Sequence, residues 1–225
     1  MSEYFRPGSA DEILASNLSN GDVLLINRRC SSLPLLEAAV CLASKYGLSG
    51  SGRGCWDHAA IVMRDPKSNV PYILEGDSAG VRFRTYEERL MQSTDHQELL
   101  WLPLRGLPDG HTRTSMETLI KDFDMRQTID GAESTSSRCR NVWAAYRDIR
   151  SPPKKFGADL SRASGQPGQR ETSCTFGAPL VASVLQQLGA LGRQTDPAAV
   201  TPTMLADLEL EGDSYFKRPV PIRTA

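Results

Sequence analysis

Trp56-Asp57-His58-Ala59-Ala60-Ile61-Val62-Met63-Arg64 and Val70-Pro71-Tyr72-Ile73-Leu74-Glu75-Gly76, joined by Asp65-Pro66-Lys67-Ser68-Asn69, decide the fold of this chain. Both outer runs are short and apolar, carry β-branched residues and border turn-forming side chains, which is the pattern of strands. The linker closes a turn through the preset φ of proline and the side-chain hydrogen bonds of Asp, Ser and Asn. The stretch therefore reads as an antiparallel hairpin with strands over 58–63 and 72–75. A turn centred between Pro66 and Lys67 sets His58 directly opposite Glu75, where Cβ atoms stand about 4.5–5.5 Å apart. A carboxylate at that distance holds one imidazole nitrogen, fixes the tautomer and leaves the other nitrogen as a base.

On the N-terminal side, residues 10–19 read as a short helix or turn, followed by Gly21-Asp22 and a strand over 23–27. Ser31-Ser32 and Pro34 signal a helix start. Leu35, Leu36, Ala39, Val40 and Ala43 then recur at helical spacing, with Gly47 as C-cap. The glycine-rich run 47–54 lacks the Lys-Ser/Thr of a phosphate loop and precedes a strand, so it reads as a plain loop.

On the C-terminal side, strands are expected over 81–84 and 98–104. Met116, Leu119, Ile120 and Phe123 mark an amphipathic helix, as do Val142, Ala145, Tyr146 and Ile149. Residues 151–173, rich in Pro, Gly, Ser and charge, read as a long surface loop. Leu180, Val181, Val184, Leu185 and Leu188 then form a helical stripe ending at Gly189. Proline is poorly tolerated inside a helix, which sets the start of this one at Pro179 with Ala178 as N-cap. Strands come first and a buried helix late, an α+β order rather than alternating βαβ. One domain over 1–225, with 1–19 as a lead-in, accommodates all of this.

Composition narrows the function. The chain has 225 residues, with Lys and Arg (26) balanced by Asp and Glu (27) for a net charge of −1. That argues against a nucleic-acid binder acting through bulk charge. The basic segment 138–155 reads as a solvated helix and loop. Five cysteines, odd in number and irregularly spaced, do not read as a disulfide framework or a zinc site. No apolar signal core and no apolar run of about 18 residues is present, so no transmembrane segment is expected and a reducing, cytoplasmic compartment is.

Among the cysteines, Cys174 stands between the polar loop and the helical stripe. A helix N-terminus there favours a thiolate and offers backbone N–H groups to an oxyanion. Cys41, mid-helix among apolar residues, reads as structural. Cys55 and His58 form half of a Cys-x-x-His metal site with no second half. His96 and His111 have no placed carboxylate or cysteine neighbour and read as surface residues.

In their order along the chain, several segments resemble the circularly permuted papain-like hydrolases related to NlpC-type cell-wall amidases. They are Gly21-Asp22-Val23-Leu24-Leu25, Trp56-Asp57-His58-Ala59-Ala60-Ile61-Val62, Tyr72-Ile73-Leu74-Glu75-Gly76, Gly80-Val81 and Tyr86-Glu87-Glu88-Arg89-Leu90. Val142-Trp143-Ala144-Ala145-Tyr146, Ser173-Cys174-Thr175 and Val200-Thr201-Pro202 continue the pattern, so that it spans roughly residues 20–220. The resemblance implies a small antiparallel β-barrel or sheet packed against a buried, cysteine-bearing helix. It implies Cys174 as nucleophile, His58 as base and Glu75 as the residue orienting that base, the order His, acid, Cys being the permuted one. No metal or organic cofactor is implied, and the substrate is a peptide, amide or acyl compound. Cys174-Thr175-Phe176-Gly177-Ala178-Pro179 departs from the family's Cys-Ser-x-hydrophobic-Val. A non-catalytic binding protein could keep the same fold. So could a lipid acyltransferase or thioesterase, which would want an apolar anchor that Arg223-Thr224-Ala225 does not offer.

Overall fold

Strands buried on both faces read as continuous apolar runs rather than alternating ones, and two such runs form the centre of this molecule. The computed structural model describes residues 9–47, 56–65, 68–77, 80–107 and 177–222. β1 (Val23–Arg28) and β2 (His58–Arg64) lie side by side, and Val23, Leu24, Leu25, Ile26 and Ala59 to Val62 are wholly removed from solvent. β3 (Pro71–Asp77) and β4 (Gly80–Thr85) extend the sheet beyond β2, while β5 (His96–Leu102) and β8 (Val220–Ile222) extend it beyond β1. The order is β4-β3-β2-β1-β5-β8 with every pairing antiparallel, and β6 (Leu104–Arg105) pairs with β7 (Tyr215–Phe216) in a separate ribbon. The architecture is α+β around an open six-stranded sheet. Among the described residues the sheet does not close, so of the expected barrel or sheet it is an open antiparallel sheet. The β8 edge carries Pro221, which cannot donate to a further strand.

Four described α-helices cover or flank the sheet. α1 (Ala10–Asn17) is capped by Ser9, whose side chain accepts from Glu12 N at 3.2 Å. Its free carbonyls at the other end are taken by Arg64, which donates to the oxygens of Ala15 (2.5 Å), Ser16 (2.9 Å) and Leu18 (2.5 Å). α2 (Leu35–Gly47) follows a turn of 3-10 helix at Cys30–Ser32. α3 (Gly177–Gln187) buries Leu180, Val181, Val184 and Leu185 against Ala59, Ile61, Met63 and Leu74. It ends at Gly189, whose φ of 71° is the left-handed closure a glycine supplies. A last turn, α4 (Pro202–Leu205), has Thr201 as its cap and adds Leu205 to the same core.

The start of β1 is held by a polar knot. Gly21 adopts φ +83°, a conformation in which any other side chain is strained. Asp22 is fully buried and accepts from Ser19 N (2.8 Å), Trp101 Nε1 (2.9 Å) and Leu104 N (2.8 Å). Burial raises its pKa, opposed by these hydrogen bonds. The Gly-Asp pair thus ties the head of β1 to β5 and β6.

Three expectations are corrected. α3 begins at Gly177, not Pro179, because in a helix's first turn the N–H has no intrahelical acceptor and proline loses nothing there. Cys41 is joined to Cys30 by a disulfide that ties α2 to the turn after β1. His96 is buried, only 5% exposed, rather than a surface residue. The helices expected around 116–123 and 142–149, the loop over 151–173, His111, Cys55, Cys139 and the basic segment 138–155 lie outside the described residues. Among the described residues no helix is long and apolar enough to cross a membrane.

Candidate active site

The register of β2 and β3 differs from the expected one. Glu75 stands opposite Ala60, which is two residues along β2 from His58. Asp65 is the cause. Its carbonyl accepts from Asn69 N (2.8 Å), its carboxylate from Ser68 N (3.0 Å), and its own N–H donates to Val70 O (3.0 Å). Asn69 takes φ 57°, which asparagine tolerates, and the turn closes later than a Pro66-Lys67 centre would place it. Side chains alternate with period two, so a two-residue shift keeps His58 and Glu75 on one face as diagonal neighbours. Diagonal reach suffices: His58 Nε2 and Glu75 Oε2 are 2.9 Å apart.

Both groups are buried, at 5% and 3% exposure. Glu75 is further gripped by Arg89, whose Nε donates to the same Oε2 at 2.8 Å, and by Arg84, whose Nε lies 3.4 Å from Oε1. Arg89 comes from a turn of π-helix, Glu87–Met91, and is 1% exposed. Its Nη1 donates to Asp95 Oδ1 at 2.8 Å, and Ser93 Oγ donates to the same oxygen at 2.6 Å. His96 Nδ1 lies 3.5 Å from that carboxylate oxygen, so the acidic neighbour of this histidine is the residue directly before it in the chain.

On the β1 side, Arg28 donates through Nε to Asp57 Oδ2 (2.8 Å), and its backbone N–H donates to Asp57 Oδ1 (2.6 Å). Lys45 of α2 donates to the Arg28 carbonyl. The residue before His58 is therefore anchored by charge to β1, with α2 bonded to the same segment.

Burial would raise the Glu75 carboxyl, yet hydrogen bonds and charges from His58 and Arg89 bring it down to about 2. Burial and the Arg28 charge hold His58 below the ordinary imidazole range, against the upward pull of Glu75. At neutral pH the pair is thus a carboxylate beside a neutral imidazole. A carboxylate only accepts, so Nε2 carries the imidazole proton and Nδ1 presents the lone pair.

The Nδ1 side faces the first residue of α3. A Cβ built on Gly177 would lie 3.1 Å from His58 Nδ1 and 3.0 Å from both N and O of Ala59. Glycine is what lets the helix end approach the strand this closely. Cys174 lies outside the described residues. The α3 segment itself contains no cysteine, so the described part of this helix is not cysteine-bearing.

The structure thus brings His58 and Glu75 together. Arg89, Arg28, Asp57 and Gly177 complete the surroundings; Asp57, Arg89 and Gly177 stood in quoted segments of the sequence but were not among the expected site residues, and Arg28 was not singled out at all. The only local hint was a glycine directly ahead of an apolar helical stripe. Among the described residues no group of His, Cys, Asp and Glu is arranged to hold a metal ion. No family model, curated protein or solved structure matches this chain.

Proposed function

We propose that this chain is a cysteine hydrolase acting on an amide, ester or thioester, with Cys174 as nucleophile, His58 as base and Glu75 as the group that orients His58. In this reading the fold is a permuted papain-like, NlpC-type arrangement, in which the histidine strand and acid strand precede the helix that follows the cysteine. One observation carries it: a buried, carboxylate-held histidine turns its second nitrogen toward Gly177, the start of α3. Cys174 precedes Gly177 by three peptide units, a span of at most about 11 Å when fully extended.

The chemistry follows from the tautomer. His58 Nδ1 takes the thiol proton of Cys174, and the thiolate attacks the carbonyl carbon of the substrate. As the tetrahedral intermediate collapses, Nδ1–H protonates the leaving amine, alcohol or thiol, and an acyl-thioester remains. Water, deprotonated by Nδ1, attacks that thioester, releasing the acid and restoring the thiol. Glu75 holds Nε2–H throughout and stabilises the transient imidazolium. A histidine that rests neutral suits the role of general base, since its lone pair is available at neutral pH.

The test is thiol labelling. After brief, sub-stoichiometric iodoacetamide treatment at neutral pH, mass-spectrometric mapping is expected to find Cys174 modified faster than Cys55 and Cys139. His58→Ala is expected to slow Cys174 on the order of tenfold per unit of thiol pKa restored, and to leave the other two unchanged. A Cys174 rate indifferent to His58 would overturn the hydrolase reading.

A further inference from the structure

Glu75 has more partners than an orienting carboxylate needs. Its Oε2 accepts from His58 Nε2 at 2.9 Å and from Arg89 Nε at 2.8 Å, so two donors converge on one oxygen. Arg89 is buried and its guanidinium spans two carboxylates, Glu75 and Asp95. A fully charged side chain is taken out of water at high cost unless its charge is matched. Here the matching is shared: one positive charge stands between two negative ones, and the histidine lies beyond the first.

We propose that Arg89 is a positioning residue for the His58–Glu75 pair: it fixes Oε2 of Glu75 against the imidazole and offsets the carboxylate's charge. The proposal rests on the hydrolase reading for its catalytic meaning. Its physical content stands on the shared oxygen. An isolated carboxylate buried against an imidazole draws a proton onto the ring and makes a resting ion pair. With Arg89 on the same oxygen, the carboxylate still orients the ring but no longer demands that it be charged. The lone pair on Nδ1 is then kept for the substrate step. Among the described residues, the charged groups around His58 are Glu75 from β3, Arg84 from β4 through Glu75, Arg89 from the π-helical turn, and Arg28 from β1 with Asp57, to which α2 adds Glu37 beside Arg28 and Lys45 beside Asp57. α3 brings no charged residue to this site.

Asp95 makes the idea testable by sign. It touches Arg89 and not Glu75, so removing its charge leaves Arg89 less compensated and His58 harder to protonate. Removing Arg89 does the reverse. The experiment is ¹⁵N NMR titration of the full chain labelled at histidine, with the His58 resonances assigned by their loss in His58→Ala. The wild type is expected to show the Nε2–H tautomer. In Arg89→Met the His58 midpoint is expected to rise by about one pH unit. Arg89→Lys, which restores the charge, is expected to return it toward the wild-type value. In Asp95→Asn the midpoint is expected to fall. Shifts of the same sign in Arg89→Met and Asp95→Asn, or no shift in either folded variant, overturn the proposal. If Arg89→Met does not fold, Asp95→Asn decides alone, and an unmoved or raised midpoint overturns it. Cys174 alkylation in the same variants separates the two ideas, because a rate indifferent to His58 defeats the hydrolase reading while the titration still judges Arg89.

Discussion

The two faces of the sheet bury similar strands in different ways. Against α3, Val23, Leu25, Ala59, Ile61, Met63 and Leu74 meet Leu180, Val181, Val184 and Leu185 in an entirely apolar core. Against α1 and the π-helical turn, Leu24, Ile26, Ala60, Val62, Ile73 and Leu99 meet Ala15, Leu18, Tyr86 and Leu90. Yet one end of that second side holds the buried groups His58, Glu75 and Arg89. The first face is stable through burial alone, about 25 cal/mol for each Å² of apolar surface removed from water. The second surrenders part of that gain to desolvate charges, and recovers it only while each charge keeps its partner. Such an arrangement is weak as a stabilising device and strong as an orienting one. The lesson is that the polar end of one face, rather than the larger core, is where this chain invests in geometry.

The comparison can be broken most severely at Glu75. Glu75→Ala leaves Arg89 buried with one carboxylate instead of two and is expected to destabilise the protein by about 3–5 kcal/mol in denaturant unfolding at neutral pH. The sign of its pH dependence is fixed. The folded-state pKa of Glu75 is brought down to about 2 from 4.5, so its contribution is complete above about 4.5 and is lost as pH falls through about 2. The gap between wild type and Glu75→Ala should therefore narrow across that acid window. A gap that stays constant there would mean that the carboxylate's charge is not what matters.

A smaller effect is expected where the two faces meet at the head of α3. Gly177→Ala places a methyl group 3.0 Å from the Ala59 backbone and 3.1 Å from His58 Nδ1. Overpacking against backbone should cost about 1–3 kcal/mol in the same measurement. It should also shift the His58 imidazole resonances while leaving α1 unaffected. The smallest effect belongs to the periphery of the second face. Ser9→Ala removes the cap that accepts from Glu12 N and should cost about 1 kcal/mol without altering the His58 titration. A change in that titration would couple α1 to the polar end and blur the distinction drawn between core and site.

Much of this was legible in the chain itself. The runs around Val23 and His58 announce strands because they are short, apolar and bordered by turn residues, and the stripe from Leu180 to Leu188 announces a helix because its period is 3.6. His58 and Glu75 were legible as a pair because a hairpin is a local object, with both strands and their turn inside about twenty residues. The Cys30–Cys41 disulfide was not, since odd and irregular cysteine counts hide a single local pairing.

Period and parity were determined by sequence alone: which stretches form β1 to β5, which is the buried helix, and that His58 and Glu75 share a face, whereas the short strands β7 and β8 were not foreseen. Their register was not, because it turned on how Asp65 and Asn69 close the loop, a competition among hydrogen bonds that composition does not rank. Arg89 was beyond reach for a different reason. Its local context, Glu87-Glu88-Arg89-Leu90, is that of an exposed charged turn. Only the folding of β3 and the π-helical turn against one another brings Glu75 and Asp95 to its two sides and makes burial of the guanidinium tolerable.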